Sequence, residues 1–138
     1  MITGLAHVNL VVPRGTLPAA NAFYAGTLGL TAVLVPERQR ETLAWFNLAD
    51  SGQQIHIAFG RPGDFDEFGT ASSRHPCFRI AGPDALAELQ RRVWAHFQAG
   101  GDGAPKACDE PGGESSGELD ARPRPWMVML TLGCVPCR

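Results

Sequence analysis

Three histidines lie in segments whose composition is typical of β-strands. His7 falls within residues 5–12, His56 within residues 54–59, and His75 opens the run 75–80. Neutral imidazole is the most common protein ligand for Zn, Fe and Ni, and three imidazoles can hold such an ion while leaving room for water or substrate. Their spacing matches no local ligand motif, so the fold must bring them together. From the residues alone, three hydrogen-bonded sheet histidines remain an equal alternative.

Other side chains that could take part in chemistry have plainer explanations. Cys134 and Cys137 form a C-x-x-C pair, which is only half of a structural zinc site. Glu114 and Glu118 lie in a Gly/Ser-rich loop, which favours solvated charges. His96 lies in a predicted helix and is interpreted as an ordinary surface residue.

The first 60 residues follow the pattern strand, helix, strand, strand, strand. Thr16 is placed to cap the helix and Gly29 to end it, with Pro18 tolerated in the first turn. Trp45, Phe46 and Phe59 are interpreted as core residues in preference to lining a site, because large aromatics dominate buried contacts. The predicted strands are, in order, 5–12, 31–35, 42–48 and 54–59.

The second half restarts this pattern without completing it. After a Gly/Pro-containing linker at 60–74, a strand at 75–80 precedes a helix that begins near Pro83 and ends before Gly100. Gly, Pro, Ser and acidic residues then dominate 102–125, which predicts largely irregular structure. Only 126–132, where both alternating faces are mostly apolar, predicts another strand.

Length and composition predict one globular domain. The 138 residues are 44% hydrophobic and 19% charged, which permits a core without disulfide staples. A net charge of −2, with no basic cluster between aromatics, argues against nucleic acid as a partner. Residues 1–12 lack the features of a signal peptide and 126–132 is too short to cross a bilayer, so we expect a cytoplasmic protein with free thiols and no membrane partner.

Four segments, in order, resemble the vicinal oxygen chelate (VOC) superfamily, which contains glyoxalases, bleomycin resistance proteins and extradiol dioxygenases. The run FYAGTLGL at 23–30 resembles the signature of the first helix, an aromatic pair followed by Leu-Gly-Leu. LAHVNLVV at 5–12 resembles the first strand, QIHI at 54–57 the fourth, and RHPCF at 74–78 the start of the second module. The resemblance covers about residues 2–98.

This resemblance implies an α+β fold in which paired βαβββ modules form a cupped sheet around a divalent metal, with the second module incomplete. It implies a single domain over 2–132, with modules at about 2–60 and 75–132, and a tail at 133–138. The family's ligand positions carry over to His7, His56 and His75, although many members have a carboxylate where His56 stands. The ion implied is Zn, Fe, Ni or Mn.

The chain departs from the family at the last ligand. The family's fourth ligand is a Glu on the final strand, in a segment resembling aromatic-x-x-Asp-Pro-x-Gly-Asn-x-x-Glu, whereas residues 122–138 read RPRPWMVMLTLGCVPCR. In a glyoxalase-type mechanism a carboxylate moves a proton beside a carbonyl that the metal polarises. No catalytic base is therefore identified.

Three functional interpretations follow from the resemblance. The first is a metal-dependent protein for a small-molecule substrate, with lyase, isomerase or dioxygenase ancestry. The alternative is a metal-free binding protein of the bleomycin resistance type, which sequesters a small molecule without turning it over. The third is a chain with a damaged second module that persists as a homodimer, whose partner supplies the missing strand or ligand.

Overall fold

The computed structural model describes residues 1–61 and 76–112 and the backbone of 127–129. An open four-stranded sheet occupies the first part, with strand order β1-β4-β3-β2. β1 pairs with β4 in parallel, while β2, β3 and β4 run antiparallel to their neighbours. This mixture of sheet and helices confirms the α+β prediction. The strands are β1 (His7–Val12), β2 (Thr31–Val33), β3 (Leu43–Asn47) and β4 (Gln54–Phe59).

The helix between β1 and β2 changes type along its length. Helix α1 (Leu17–Asn21) continues directly into a π-helical segment (Ala22–Thr27). Thr16 stands at the N-cap as predicted, but its hydroxyl donates to the carbonyl oxygen of Pro13 at 2.7 Å, so the prediction of a side-chain cap is wrong. The hydroxyl closes the preceding turn instead of accepting a helical N–H. Gly29 ends the helix with φ +76°, a conformation that favours glycine.

The core lies between one face of the sheet and this helix. Successive strand residues point to opposite faces, and the residues of one parity are buried. Phe46 and Ile57 are fully buried, and each such side chain stabilises the fold by about 1.5–3 kcal/mol. The cluster comprises Leu10, Val12, Leu17, Ala20, Phe23, Tyr24, Ala44, Phe46, Ile55 and Ile57. The residues of the other parity form the open face of the sheet.

The second part consists of β5 (Cys77–Arg79), helix α2 (Pro83–Ala99) and β6 (Met127–Met129). Helix α2 begins at Pro83 and ends before Gly100, as predicted, and Gly100 has φ +68°. Its Arg92 Nη2 donates to the carbonyl oxygen of Gly26 at 2.8 Å, which joins α2 to the π-helical segment. Among the described residues, no helix combines the length and apolar character that crossing a bilayer requires.

The second part repeats the strand and helix order of the first, but not its strand pairing. β6 confirms the predicted strand over 127–129 and pairs antiparallel to β5, with Phe78 opposite Val128. In the first part the last strand, β4, is parallel to β1. β6 therefore does not occupy the place in the second part that β4 has in the first. The domain and module boundaries stay predictions, because most of the 60–74 linker, 113–126 and 130–138 lie outside the described residues.

Candidate functional site

Three aromatic rings are stacked across the open face of the first sheet. Trp45 of β3 lies directly opposite His56 of β4, and their ring centroids are 4.6 Å apart with planes 12° from parallel. His7 of β1 is a diagonal neighbour of His56, because Asn9 is the residue in register with it. The His7 and His56 rings are 4.1 Å apart with planes at 11°. We call Trp45, His56 and His7 the ring stack.

Two amide side chains flank the ring stack. Gln54 and Asn47 are opposite each other in the register of β4 and β3, and Gln54 Nε2 donates to Asn47 Oδ1 at 2.8 Å. The other end of the Gln54 amide, Oε1, lies 2.9 Å from His56 Nε2. These three side chains form a continuous hydrogen-bonded chain, which we call the amide relay. Because it spans two strands, it fixes His56 relative to β3.

The electrostatics of the ring stack favour neutral imidazole at His56. Desolvation lowers the pKa of His56 below the ordinary histidine value of 6.5, and the charge that His7 carries when protonated lowers it further. Two imidazolium rings in face-to-face contact would repel each other, so the pair disfavours the doubly protonated state. At neutral pH the site therefore offers an uncharged imidazole with one donor and one acceptor nitrogen.

Trp45 contradicts the prediction that places it in the core. Its neighbour Phe46 is fully buried in the core cluster, so Trp45, one residue before it on the strand, must face the opposite side. The Trp45 indole N–H is buried and has no hydrogen-bond partner among the described residues. A buried donor without a partner costs about 1–3 kcal/mol. Phe46 confirms the core interpretation, and Phe59 packs against the core while only partly buried.

The histidine pair meets only part of the predicted metal-site geometry. The structure brings His7 and His56 into contact, while His75 lies outside the described residues. An imidazole lone pair lies in the ring plane, so an ion shared by two rings must lie close to both planes at about 2.0–2.1 Å from each nitrogen. Stacked planes at 11° meet far beyond that distance. The two rings as placed therefore do not fit one ion, and ligation requires one of them to rotate out of the stack.

No other metal-site geometry is present in the described parts of the chain. Within 1–61 and 76–112, no group of three His, Cys, Asp or Glu side chains is arranged to hold an ion. The C-x-x-C pair and the two loop glutamates at 114 and 118 lie outside these residues. The three-histidine ligand set thus stays a prediction.

A small cavity adjoins the ring stack at Trp45. Its volume is about 170 Å³, and it lies beside β2 and the start of β3, with Arg40 as its charged side chain. Pockets for drug-sized molecules usually measure about 300–1,000 Å³, so this cavity holds no more than a fragment of one. Its lining is Asn21, Ala32, Val33, Leu34, Val35, Arg40, Leu43, Ala44 and Trp45.

His96 contradicts its interpretation as an ordinary surface residue. Its Nδ1 lies 2.6 Å from the hydroxyl of Thr27, which is 93% buried, since its exposed fraction is 7%. Its Nε2 lies 3.1 Å from the carbonyl oxygen of Asp102. His96 therefore bridges the π-helical segment and the loop after α2. This bridge lies on the helical side of the sheet, away from the ring stack.

The sequence interpretation missed Trp45, Asn47 and Gln54 as site residues. One signal could have found them, because Gln54 and His56 are two residues apart on one predicted strand, as are Trp45 and Asn47 on the next. Residues at that spacing share a face. The register between the two strands places Trp45 and Asn47 opposite His56 and Gln54. It depends on the turn between the strands and cannot be predicted from residue spacing.

Comparison with known proteins finds similarity to solved structures. No family model matches the chain, and no curated protein matches it significantly. One of these structures is of a Bacillus anthracis protein whose description assigns it provisionally to the glyoxalase family; it is 31% identical over 48% of this chain and 52% of that chain, with a TM-score of 0.41. This chain therefore spans about half the length of the protein it resembles. The α+β fold described above follows from the strands and helices themselves, and no argument for it rests on this similarity.

Proposed function

We propose that this chain is a glyoxalase-like protein of the VOC type that binds a small molecule on the open face of its first sheet. The observation that carries the proposal is the ring stack. One face of the sheet packs against the helix, while the other presents Trp45, His56 and His7 with hydrogen-bonding amides beside them. Ligand sites are built in this way, from aromatic surface and a few placed polar groups.

The first version of the proposal includes a metal. His7, His56 and His75 would hold Zn, Fe, Ni or Mn after one ring leaves the stack. A bound metal would supply Lewis-acid polarisation of a substrate oxygen, which suits a lyase, isomerase or dioxygenase. The chain's own residues would orient the substrate, with Trp45 offering a flat apolar surface. A base is not assigned in this version.

The second version is a metal-free binding protein, and the geometry of the described residues favours it. The His56 ring is held by Trp45 on one side and His7 on the other, and its Nε2 is engaged with Gln54. Rotation into a ligating position breaks at least one of these contacts. A site arranged in this way binds through stacking and hydrogen bonds without further rearrangement.

Metal content separates the two versions. Elemental analysis of the purified chain after dialysis against buffer, followed by Zn²⁺ and Ni²⁺ titration calorimetry, is expected to show well below one equivalent of bound metal. His7→Gln and His56→Gln variants should then behave like the native chain. One tightly bound equivalent that both variants lose, and that a His96→Gln control retains, would establish the metal-dependent version instead.

The proposal extends to a cytoplasmic homodimer. β1 is an edge strand of the sheet, with Val11 on it 40% exposed and Leu5 just before it 60% exposed. An unpaired edge beside apolar side chains is a surface that a second copy can cover. Sedimentation equilibrium over a wide concentration range should detect the dimer, and a monomer throughout would contradict this part of the proposal.

A further inference from the structure

We infer that Asn47 and Gln54 are positioning residues that hold His56 in a single tautomer, with the proton on Nε2 and the lone pair on Nδ1. The inference concerns a role for these residues, the choice of the His56 tautomer, that neither the sequence interpretation nor the proposed function gives them. Its relevance to a ligand rests on the proposed function, but the tautomer itself does not. The consequence is a site that presents an acceptor nitrogen to whatever lies on the open face.

The direction of the relay follows from which atoms can donate. Gln54 Nε2 is its amide NH₂ and donates to Asn47 Oδ1 at 2.8 Å. The oxygen end of the same amide, Oε1, is therefore turned toward His56, and an amide oxygen can only accept. At 2.9 Å from Oε1, His56 Nε2 must carry the hydrogen. In the neutral ring this leaves Nδ1 as the acceptor.

The same three side chains could also hydrogen-bond in the opposite direction, so the inference excludes a defined alternative. If both amides were turned over, Asn47 would donate to Gln54, and Gln54 would donate to His56 Nε2. The imidazole proton would then lie on Nδ1, and the site would present a donor. The two arrangements differ in the position of one proton on one ring, which is directly measurable.

The acceptor at Nδ1 defines a class of ligand. Among the described residues His56 Nδ1 has no hydrogen-bond partner, and the His56 side chain is only partly buried. A neutral imidazole acceptor is satisfied by an O–H or N–H donor. The site is therefore matched to a planar molecule that carries such a donor, because a planar ring can also lie against the ring stack.

The tautomer is tested by nitrogen NMR on the ¹⁵N-histidine-labelled chain at neutral pH. We expect a pyrrole-type Nε2 and a pyridine-type Nδ1 for His56, and a mixture of tautomers in Gln54→Leu. Gln53→Leu is the matched control, because Gln53 is exposed and only its backbone makes hydrogen bonds in the structure. Asn47→Asp should retain the native tautomer, since a carboxylate can only accept from Gln54.

Two results overturn the inference. A pyrrole-type Nδ1 in the native chain would show that the relay runs in the opposite direction. An unchanged single tautomer in Gln54→Leu would show that Gln54 does not set it. Circular dichroism of each variant confirms that the fold is intact before the spectra are compared.

The ligand class is tested with phenol and anisole as probes. Both rings can stack, but only phenol carries a donor. Millimolar phenol is expected to shift the His56 Nδ1 resonance, while anisole at the same concentration shifts it by a small fraction of that amount. Equal shifts from both probes would contradict the acceptor role. If neither probe shifts any residue of the open face, the proposed function fails there while the tautomer result stands on its own.

Discussion

His56 is the residue on which most contacts of the candidate site converge. The stack and the relay both hold one ring, while desolvation and His7 together lower its pKa. The sequence could predict that His7 and His56 lie close together, because their segments resemble two strands of one module. It could not predict that the rings would stack, because ring orientation depends on side-chain torsions and on Trp45 from a third strand.

The lowered pKa of His56 predicts how stability depends on pH. Its folded pKa lies below the unfolded value of about 6.5, so the unfolded chain takes up the proton first as the pH falls. The contribution of His56 is fully present above that value and is lost as the pH decreases through it. We expect the free energy of unfolding, measured in urea, to decrease as the pH falls below about 6.5 and through the lower pKa that His56 has in the folded chain.

The variant His56→Gln should make this pH dependence shallower, because glutamine does not titrate. His7→Gln should do so in part, since it removes the charge on His7 but leaves the desolvation of His56. A slope in His56→Gln identical to that of the native chain would show that other groups cause the dependence.

The unpaired indole of Trp45 predicts unequal effects of two substitutions. Trp45→Phe removes a buried donor that lacks a partner and keeps a ring against His56, so we expect a change in stability of no more than about 1 kcal/mol. Trp45→Ala removes the stacked ring and should cost about 2–3 kcal/mol, less than a fully buried aromatic because Trp45 is only partly buried. Thermal and urea unfolding of both variants measure these losses of stability. If Trp45→Phe and Trp45→Ala cost the same, the indole N–H does have a partner.

At the scale of the elements, periodicity and glycine placement predicted most of the structure. β4 and α2 have the bounds that their residue patterns indicated, while β1, β2 and β3 are each shorter by two residues. The π-helical turn was not predictable, because its hydrogen-bond pattern depends on what packs against it. Thr16 likewise had the right position and a different hydrogen bond, since the local carbonyl of Pro13 competes with the helix for its hydroxyl.

The loop after α2 predicts a position-specific glycine effect. Gly103 has φ +75°, and a Cβ there would collide with the carbonyl oxygen of Ala19 in α1. Gly101 in the same loop has φ +92° and open space around it. Gly101→Ala should show only the backbone strain, about 1–2 kcal/mol, whereas Gly103→Ala should cost clearly more because the loop must also move away from α1. Urea unfolding of both variants tests this, and equal losses would contradict the close approach.

At the scale of the whole molecule, the sequence predicted an α+β chain with an incomplete second module, but not how its two parts meet. Polar side chains make the contact, and they follow no periodic pattern in the sequence from which it could be predicted. His96 contacts Thr27, and Arg92 contacts the backbone of Gly26, so hydrogen bonds fix α2 to the π-helical segment. The antiparallel pairing of β5 with β6 was not predictable either, because the composition of a strand does not specify its direction relative to its partner.

The Thr27–His96 bridge predicts coupling between the two parts of the chain. Thr27→Val and His96→Ala should each lower the free energy of unfolding by about 1–3 kcal/mol, since each leaves a polar partner unpaired. Because the two side chains act on each other, the double variant should lose less than the sum, by about 0.5–3 kcal/mol. A double-mutant cycle measured by urea unfolding gives this coupling energy, and strict additivity would show that the contact contributes nothing.

The parallel pairing of β1 with β4 has a consequence for the order in which the chain can fold during synthesis. β1 leaves the ribosome before the other strands of this sheet, yet its partner Gln54–Phe59 is translated only after the helix, β2 and β3. Local antiparallel contacts among β2, β3 and β4 close short loops and form early, whereas the β1 contact closes a long one. Until β4 emerges, the apolar residues of β1 have no sheet to join. His7 and His56 can therefore meet only at the end of this sequence of events, which makes the ring stack one of the last features of the first sheet to assemble.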